Sequence, residues 1–169
     1  MQEDQDLRYQ VGATQQFGVR AVLLLKHGDQ VFLKHVQEGG QALFIAPGGA
    51  VKFNETGVEA ATREAQEELG LTLTPRFAGL VEAFVAMNGG QYHQLLLVTT
   101  ATLSAAQAER LAHLDRTGLD LPKDTVLGWV PMATAAARLR PQALGRYLTT
   151  PAPAHAVDRR EVTGGGDAL

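Results

Sequence analysis

Three glutamates stand close together in a segment whose residue pattern predicts a helix: Glu64, Glu67 and Glu68. At about 100° per residue, their carboxylates fall within about 100° of one another, away from an apolar stripe that includes Ala65 and Leu69. Like charges at these spacings each cost a helix roughly 0.2–0.5 kcal/mol. Mg²⁺ prefers hard oxygen ligands such as carboxylates and phosphates. The pattern therefore predicts a divalent-cation site, and the alternative is a solvated acidic helix face.

The helix has start and stop signals at both ends. Thr56 is a good N-cap, Glu59 three residues later completes a capping box, and Gly70 suits the C-terminal end. Pro47-Gly48-Gly49 comes before the helix and by itself would predict an ordinary turn. Its position directly before the acidic segment favours a loop that contributes to the cation site.

Residues 49–71, GAVKFNETGVEAATREAQEELGL, resemble the defining motif of the Nudix hydrolases, G-x5-E-x7-R-E-U-x-E-E-x-G-U, where U is a bulky apolar residue. The matching residues are Gly49, Glu55, Arg63, Glu64, Glu67, Glu68, Gly70 and Leu71. Ala65 occupies the first apolar position and is smaller than the pattern prefers, a departure that concerns packing. The resemblance implies an α/β protein with the Nudix-type α/β/α sandwich around a mixed β-sheet.

The resemblance also implies roles for individual residues. The implied metal ligands are the carboxylates of Glu64, Glu67 and Glu68 and the backbone carbonyl of Gly49. The same three glutamates and Arg63 are the implied catalytic residues. Arg63 and Glu55 would hold the loop and the helix in register, and Gly70 would be structural. The implied cofactor is Mg²⁺, with Mn²⁺ as a substitute.

Candidates outside the motif lie on two predicted strands. Glu67 and Glu68 are candidates for the general base, and Glu82 is a further candidate for the base or an additional metal ligand. A glutamate on a strand can also simply face solvent. Tyr92 and His93 are candidate substrate contacts, and core or surface packing is the alternative for both.

The remaining pattern predicts one domain of alternating strands and helices. The predicted strands are residues 18–26, 30–36, 43–46, 50–53, 77–86, 92–103 and 126–130, and the predicted helices are residues 56–70, 104–114 and 132–147, the last bent near Pro141. Turn signals at residues 27–29 and 88–90 predict hairpins. We predict a flexible N-terminal arm over 1–15, the Nudix domain over 16–150 and a disordered tail over 151–169.

Composition narrows the function classes. The chain has no cysteine, which excludes thiolate catalysis and cysteine-ligated zinc. Its net charge of -3 and its isoelectric point near 5.9 argue against nucleic-acid binding. A secretory signal and a membrane span are not predicted. We expect a cytoplasmic protein with a small nucleotide substrate, and the resemblance adds a homodimer as a candidate assembly.

The resemblance leaves the substrate open. Diadenosine polyphosphate hydrolases and ADP-ribose pyrophosphatases of the family tend to carry a tyrosine or a proline in a window that here contains Ala86, Met87, Asn88 and Gly89. The signals of the NADH and coenzyme A subfamilies are also missing. Nucleoside tri- or diphosphates, normal or oxidised, are therefore the default expectation. The alternatives are a nucleotide-sugar or similar linked diphosphate, capped or triphosphorylated RNA, and a non-catalytic nucleotide sensor.

Overall fold

The computed structural model describes residues 5–162 of the chain. Its elements, in chain order, are β1 (Arg8–Val11), β2 (Gln15–His27), β3 (Gln30–Glu38), β4 (Gln41–Ile45), β5 (Gly48–Ala50), α1 (Gly57–Leu69), β6 (Arg76–Met87), β7 (Gly90–Thr102), α2 (Ala105–Ala112), β8 (Val126–Pro131), α3 (Met132–Arg138), a 3₁₀ helix (Gln142–Tyr147) and β9 (His155–Val162).

The strands form one mixed sheet with the main order β4-β3-β2-β7-β6-β9. The pairs β2–β7 and β6–β9 are parallel, and the other pairs are antiparallel. β5 pairs with the middle of β2, at Arg20–Val22, and β3 pairs with its end, at Leu25–His27, so the sheet opens between β5 and β3. Both predicted hairpins are confirmed. The second turns through Asn88 and Gly89, whose positive φ angles of 51° and 75° suit a two-residue turn.

Alternation along β2 divides the core into two layers. Ala21 and Leu23 pack with α1 and α2 on one face, and Val22 and Leu24 pack with α3 and the 3₁₀ helix on the other. Helices therefore cover both faces of the sheet, which confirms the predicted α/β class and sandwich architecture.

The predictions for the two ends of the chain are wrong over the described residues. Instead of a flexible arm, Arg8–Val11 is a strand paired with β2, and Leu7 N–H donates to the Val51 carbonyl at 2.8 Å. Instead of a disordered tail, His155–Val162 pairs in parallel with β6, and Ala156 is buried in the core. The ordered fold therefore extends beyond residue 150. Residues 1–4 and 163–169 lie outside the described part.

Two local predictions also need correction. The helix predicted over 132–147 is divided into α3 and a separate 3₁₀ helix, because Pro141 has no backbone N–H for an α-helical bond. The strand predicted over 50–53 instead lies at Gly48–Ala50. Over residues 5–162, no helix is both long enough and apolar enough to cross a membrane.

Candidate functional site

Helix α1 carries the acidic residues and has the predicted caps. Thr56 Oγ1 accepts a hydrogen bond from Glu59 N–H at 3.2 Å, and the Glu59 carboxylate accepts from Thr56 N–H at 2.7 Å. At the other end, Gly70 adopts the left-handed conformation with φ 61°, and its N–H bonds back to the helix. Ala65, the small residue in the motif, is fully buried against the sheet. These contacts fix the rotation of α1, so its carboxylates face the Gly48–Gly49 turn.

Arg63 is the centre of the acidic cluster. Its Nε and one terminal nitrogen donate to the two oxygens of Glu55 at 2.8 and 3.1 Å, and that terminal nitrogen also donates to the Ala50 carbonyl at 2.9 Å. The other terminal nitrogen donates to Glu64 at 2.6 Å and to Glu67 at 2.9 Å. The hydrogen bond with Glu55 raises the pKa of Arg63 further and lowers that of Glu55. One guanidinium thus connects the loop before α1 to two carboxylates on the helix.

Glu68 lies deepest of the three glutamates, with 8% of its surface exposed. One carboxylate oxygen accepts from Lys34 Nζ at 2.6 Å, and the other accepts from Gly48 N–H at 3.2 Å. Gly48 cannot carry a side chain, because its φ is 137° and a Cβ would lie 2.1 Å from the Ala21 carbonyl oxygen. The glycine therefore lets the loop approach β2 closely enough to contact Glu68.

Glu64 lies directly against Gly49. A Cβ on Gly49 would lie 2.2 Å from a carboxylate oxygen of Glu64, so glycine leaves the space that this carboxylate fills. Burial raises the pKa of Glu64, and Arg63 opposes that effect through its hydrogen bond and charge. The neighbouring Glu68 and Glu67 raise the same pKa further. The three carboxylates are thus close enough to repel one another, and Arg63 and Lys34 offset that repulsion.

The carboxylate and carbonyl oxygens of the acidic cluster are suitable ligands for a divalent cation, but their present positions do not enclose one. Carboxylate and carbonyl oxygens are the ligands that Mg²⁺ prefers. Within residues 5–162, however, no three acidic or histidine side chains are grouped closely enough to enclose one ion. Arg63 and Lys34 hold the oxygens of Glu64, Glu67 and Glu68 instead. A bound cation would have to replace some of those ion pairs.

The comparison with known families agrees with this geometry. The sequence profile of the NUDIX domain matches residues 14–144, which is most of the chain. The chain belongs to the Nudix hydrolase family. Nudix hydrolases generally use a divalent metal. No curated protein matches the sequence.

Solved structures of Nudix proteins share the fold. The chain is similar to the mutator MutT protein from Bacillus halodurans, with 18% identity, a TM-score of 0.59, and coverage of 85% of this chain and 90% of that one. The MutT protein from Methanosarcina mazei Go1 gives 18% identity, a TM-score of 0.52, and coverage of 78% and 90%. The MutT NUDIX hydrolase from Burkholderia pseudomallei gives 23% identity and a TM-score of 0.52. The match covers 69% of this chain and 84% of that one. At these low sequence identities, the similarity shows that this chain shares the fold of those proteins.

Strand alternation separates Tyr92 from the other two candidates outside the Nudix motif, because Glu82 and His93 lie on the face of the sheet that carries α1. The Glu82 carboxylate, on β6, lies 3.2 Å from Nε2 of His155 on β9. His93 stacks on Phe84 with ring centroids 4.3 Å apart, and its buried Nε2 has no hydrogen-bond partner among the described residues. Tyr92 points to the opposite face of the sheet from His93. The partners found for Glu82 and His93 are thus outside the motif, and Tyr92 lies on the other face of the sheet.

Two cations beside the acidic cluster were missed in the sequence. Lys34 reaches Glu68 from β3, and Arg20 on β2 has a terminal nitrogen 3.4 Å from the Gly48 carbonyl oxygen. Burial lowers the pKa of Arg20, Arg8 lowers it further, and Glu68 and Glu64 raise it. Lys34 and Arg20 are charged residues within apolar strand segments, and this pattern was the signal in the sequence that could have marked them as functional candidates. Their nearness to α1 depends on sheet pairing that the sequence does not show.

Proposed function

We propose that this Nudix hydrolase cleaves a phosphoanhydride bond in a nucleoside tri- or diphosphate with the help of Mg²⁺, for which Mn²⁺ can substitute. The observation that carries the proposal is the meeting of Glu64, Glu67 and Glu68 beside the Gly48–Gly49 turn. The Nudix family acts on small nucleotides. The negative net charge of the chain suits a substrate that binds through cations rather than through a basic protein surface.

The residues that would hold the metal are Glu64, Glu67, Glu68 and the carbonyl of Gly49. When bound, divalent metal stabilises negative charge on phosphoryl oxygens and lowers the pKa of water. Arg63 is a positioning residue in this proposal, because its bonds to Glu55 and Ala50 keep the loop fixed to the helix.

A side chain of the protein is needed to accept the proton of the attacking water. In hydrolysis, a water oxygen forms a bond to phosphorus, the bond from phosphorus to the bridging oxygen breaks, and the water proton passes to a base. Glu67 is the most accessible base candidate in the motif, since its side chain is 40% exposed and its partner is one terminal nitrogen of Arg63. Glu68 is enclosed by Lys34 and Gly48. Glu82, whose carboxylate lies 3.2 Å from His155 Nε2, stays a prediction as a base or an additional ligand.

Two alternatives give different substrates or no turnover. A nucleotide-sugar or another linked nucleoside diphosphate contains the same bond, and the acidic cluster does not distinguish it. A non-catalytic nucleotide sensor would need none of the acidic side chains, and all three are present here. The intact motif therefore favours hydrolysis.

A substrate panel tests the proposal. Nucleoside triphosphates, nucleoside diphosphates and nucleotide-sugars are incubated with the full chain in Mg²⁺, in Mn²⁺ and in chelator, and the released phosphate or pyrophosphate is measured. We expect turnover of a tri- or diphosphate only with metal. Glu67→Gln should lower kcat by about 100-fold or more, on the scale of losing a key electrostatic group.

Glu109→Gln on α2 is the matched control, because Glu109 is 75% exposed and contacts only His113 among ion pairs of the described residues. It should turn over normally. Full activity of Glu67→Gln, or equal activity in chelator, would contradict the metal assignment. Faster cleavage of a nucleotide-sugar would instead favour that alternative.

A further inference from the structure

Two rows of side chains cross the face of the sheet that carries α1, near the turn at Asn88 and Gly89. Helices α1 and α2 pack farther along β2, over Ala21 and Leu23, and within the described residues they do not pack on Phe17. Strand register gives the members of each row. The first row is Tyr9, Phe17, His93, Phe84 and Arg159, and the second is Val11, Gln15, Gln91, Ala86 and Glu161. We call these two rows the open face.

Contacts between rings fix the shape of the first row. Phe17 meets His93 edge-on with ring centroids 5.3 Å apart, and His93 stacks on Phe84 at 4.3 Å. The guanidinium carbon of Arg159 lies 3.8 Å from the centre of the Phe84 ring. A cavity of about 620 Å³ lies against both rows, and Tyr9 at their end is 54% exposed. An ordered aromatic surface beside a cavity of this size is typical of a docking site.

The charges at the rim of the open face indicate what docks there. Arg159 and Glu161 stand two residues apart on β9 and on the same face, and within residues 5–162 neither forms an ion pair. A partner with the same two charges in reversed order would neutralise both. A second copy turned about a two-fold axis has that order, because symmetry brings Arg159 of each copy opposite Glu161 of the other.

One position of the axis matches the apolar side chains as well. When the axis runs across the strands between the two rows, each first-row residue faces a second-row residue of the other copy. Phe84 then faces the partner's Ala86, and Tyr9 faces the partner's Val11. Large side chains therefore meet smaller ones, which suits two sheets packed about 10 Å apart.

The same axis supplies a partner for a buried nitrogen. Nε2 of His93 is buried and has no hydrogen-bond partner among the described residues, a costly state for a polar atom. His93 faces the partner's Gln91 in this arrangement. The Gln91 amide oxygen accepts from Gln15 at 3.0 Å, which leaves its NH₂ group to donate. Helix α1 does not obstruct the contact, because Ala21, over which it packs, would face past the Asn88–Gly89 turn of the other copy.

We propose that two copies of this chain associate through the open face, sheet against sheet, about a two-fold axis that runs between the rows. The two rows cross five strands and, with the residues on either side, cover roughly 20 Å by 20 Å. An interface of that extent is at the small end for specific association, so the dimer should dissociate on dilution.

Sedimentation equilibrium of the full chain, at about 10 to 500 µM, tests the proposal. The average mass of wild type should rise with concentration from 18.1 kDa towards twice that value. Arg159→Glu and Glu161→Arg should each raise the Kd for dimerisation about 10-fold or more, since each places like charges opposite one another twice. The double variant restores opposite charges and should dimerise nearly as well as wild type.

A matched pair of apolar variants separates the open face from exposed apolar surface in general. Val11 is 51% exposed on the open face, and Val126 is 57% exposed on β8, outside it. Val11→Asp should raise the Kd about 10-fold or more, because it places a carboxylate in an apolar contact. Val126→Asp should associate like wild type.

A wild-type mass of 18.1 kDa throughout the concentration range overturns the proposal. So does unchanged association in both single charge variants, or a double variant that associates no better than they do. Equal weakening by Val126→Asp and Val11→Asp also overturns it, because association would then not depend on the open face. None of these measurements involves turnover, so the proposed function is tested separately.

Discussion

The ion pair between Arg63 and Glu55 should be a large contributor to the stability of the fold. The two side chains form paired hydrogen bonds of 2.8 and 3.1 Å and are 20% and 19% exposed. Exposed ion pairs contribute about 0.2–1 kcal/mol, and breaking a fully buried pair costs about 3–5 kcal/mol. A coupling energy of about 1.5–3 kcal/mol is expected between these limits, in line with hydrogen bonds to charged groups.

A double-mutant cycle measures that coupling. Glu55→Gln, Arg63→Met and the double variant are unfolded in urea with chelator present, and the free energy of unfolding is compared with wild type. Arg63→Met should cost more than Glu55→Gln, because it also removes the bond to Ala50 and exposes Glu64 and Glu67 to each other. The double variant should be little worse than Arg63→Met alone.

The same coupling should depend on pH. The Arg63 hydrogen bond lowers the pKa of Glu55, so the folded value lies below the unfolded value of about 4.3. The stabilisation is therefore complete above the unfolded pKa and is lost as pH falls through the folded pKa. The cycle repeated at decreasing pH below about 5 should give a shrinking coupling energy.

A control cycle uses Glu109→Gln and Arg146→Met, whose residues lie on elements packed against opposite faces of the sheet. Their effects should add within about 0.5 kcal/mol. A coupling below about 0.5 kcal/mol for Arg63 and Glu55 at neutral pH would refute the reasoning, and so would a coupling that does not change in acid.

Three further predictions concern the acidic cluster. Gly49→Ala should displace the Glu64 carboxylate, lowering kcat/KM by about 10-fold or more with only a small change in Tm, as steady-state kinetics and thermal unfolding would show. Lys34→Met should lower the free energy of unfolding by about 1–3 kcal/mol in chelator, because it removes the partner of Glu68. Added Mg²⁺ should restore much of that loss by binding Glu68. A loss that Mg²⁺ leaves unchanged would count against Glu68 as a ligand. For wild type, Mg²⁺ at 100 times its Kd should stabilise the fold by about 2.7 kcal/mol over chelator, and Glu67→Gln should show less of this gain at the same concentration.

The helix that carries the three glutamates could be predicted from local signals. Thr56 and Gly70 limit α1 as expected, and helix geometry then places Glu64, Glu67 and Glu68 on neighbouring positions of its surface. The hairpin at Asn88 and Gly89 was equally local, because its turn needs two residues that tolerate positive φ.

Features that depend on distant pairing were not predictable in the same way. The strand β9 follows a proline- and alanine-rich stretch, so average composition suggested disorder, but Ala156 and Val162 reach the core once β6 offers an open edge. Tyr92 and His93 were grouped as neighbours in sequence, although alternation along β7 separates them onto opposite faces. Arg20 and Lys34 lie beside the acidic cluster only through the pairing of β2 and β5 and the path of β3.

The way Arg63 divides its bonds has a consequence for the proposed metal binding. Nε and one terminal nitrogen hold Glu55 and the Ala50 carbonyl, and the other terminal nitrogen alone holds Glu64 and Glu67. If a metal binds the carboxylates of Glu64 and Glu67, only this second terminal nitrogen of Arg63 loses its hydrogen bonds. The bonds from Arg63 to Glu55 and Ala50 can then keep the loop and the helix in register while Glu64 and Glu67 rearrange. Lysine, with a single nitrogen at the end of its side chain, could not keep one set of bonds while releasing the other, which gives a physical reason for arginine at this position.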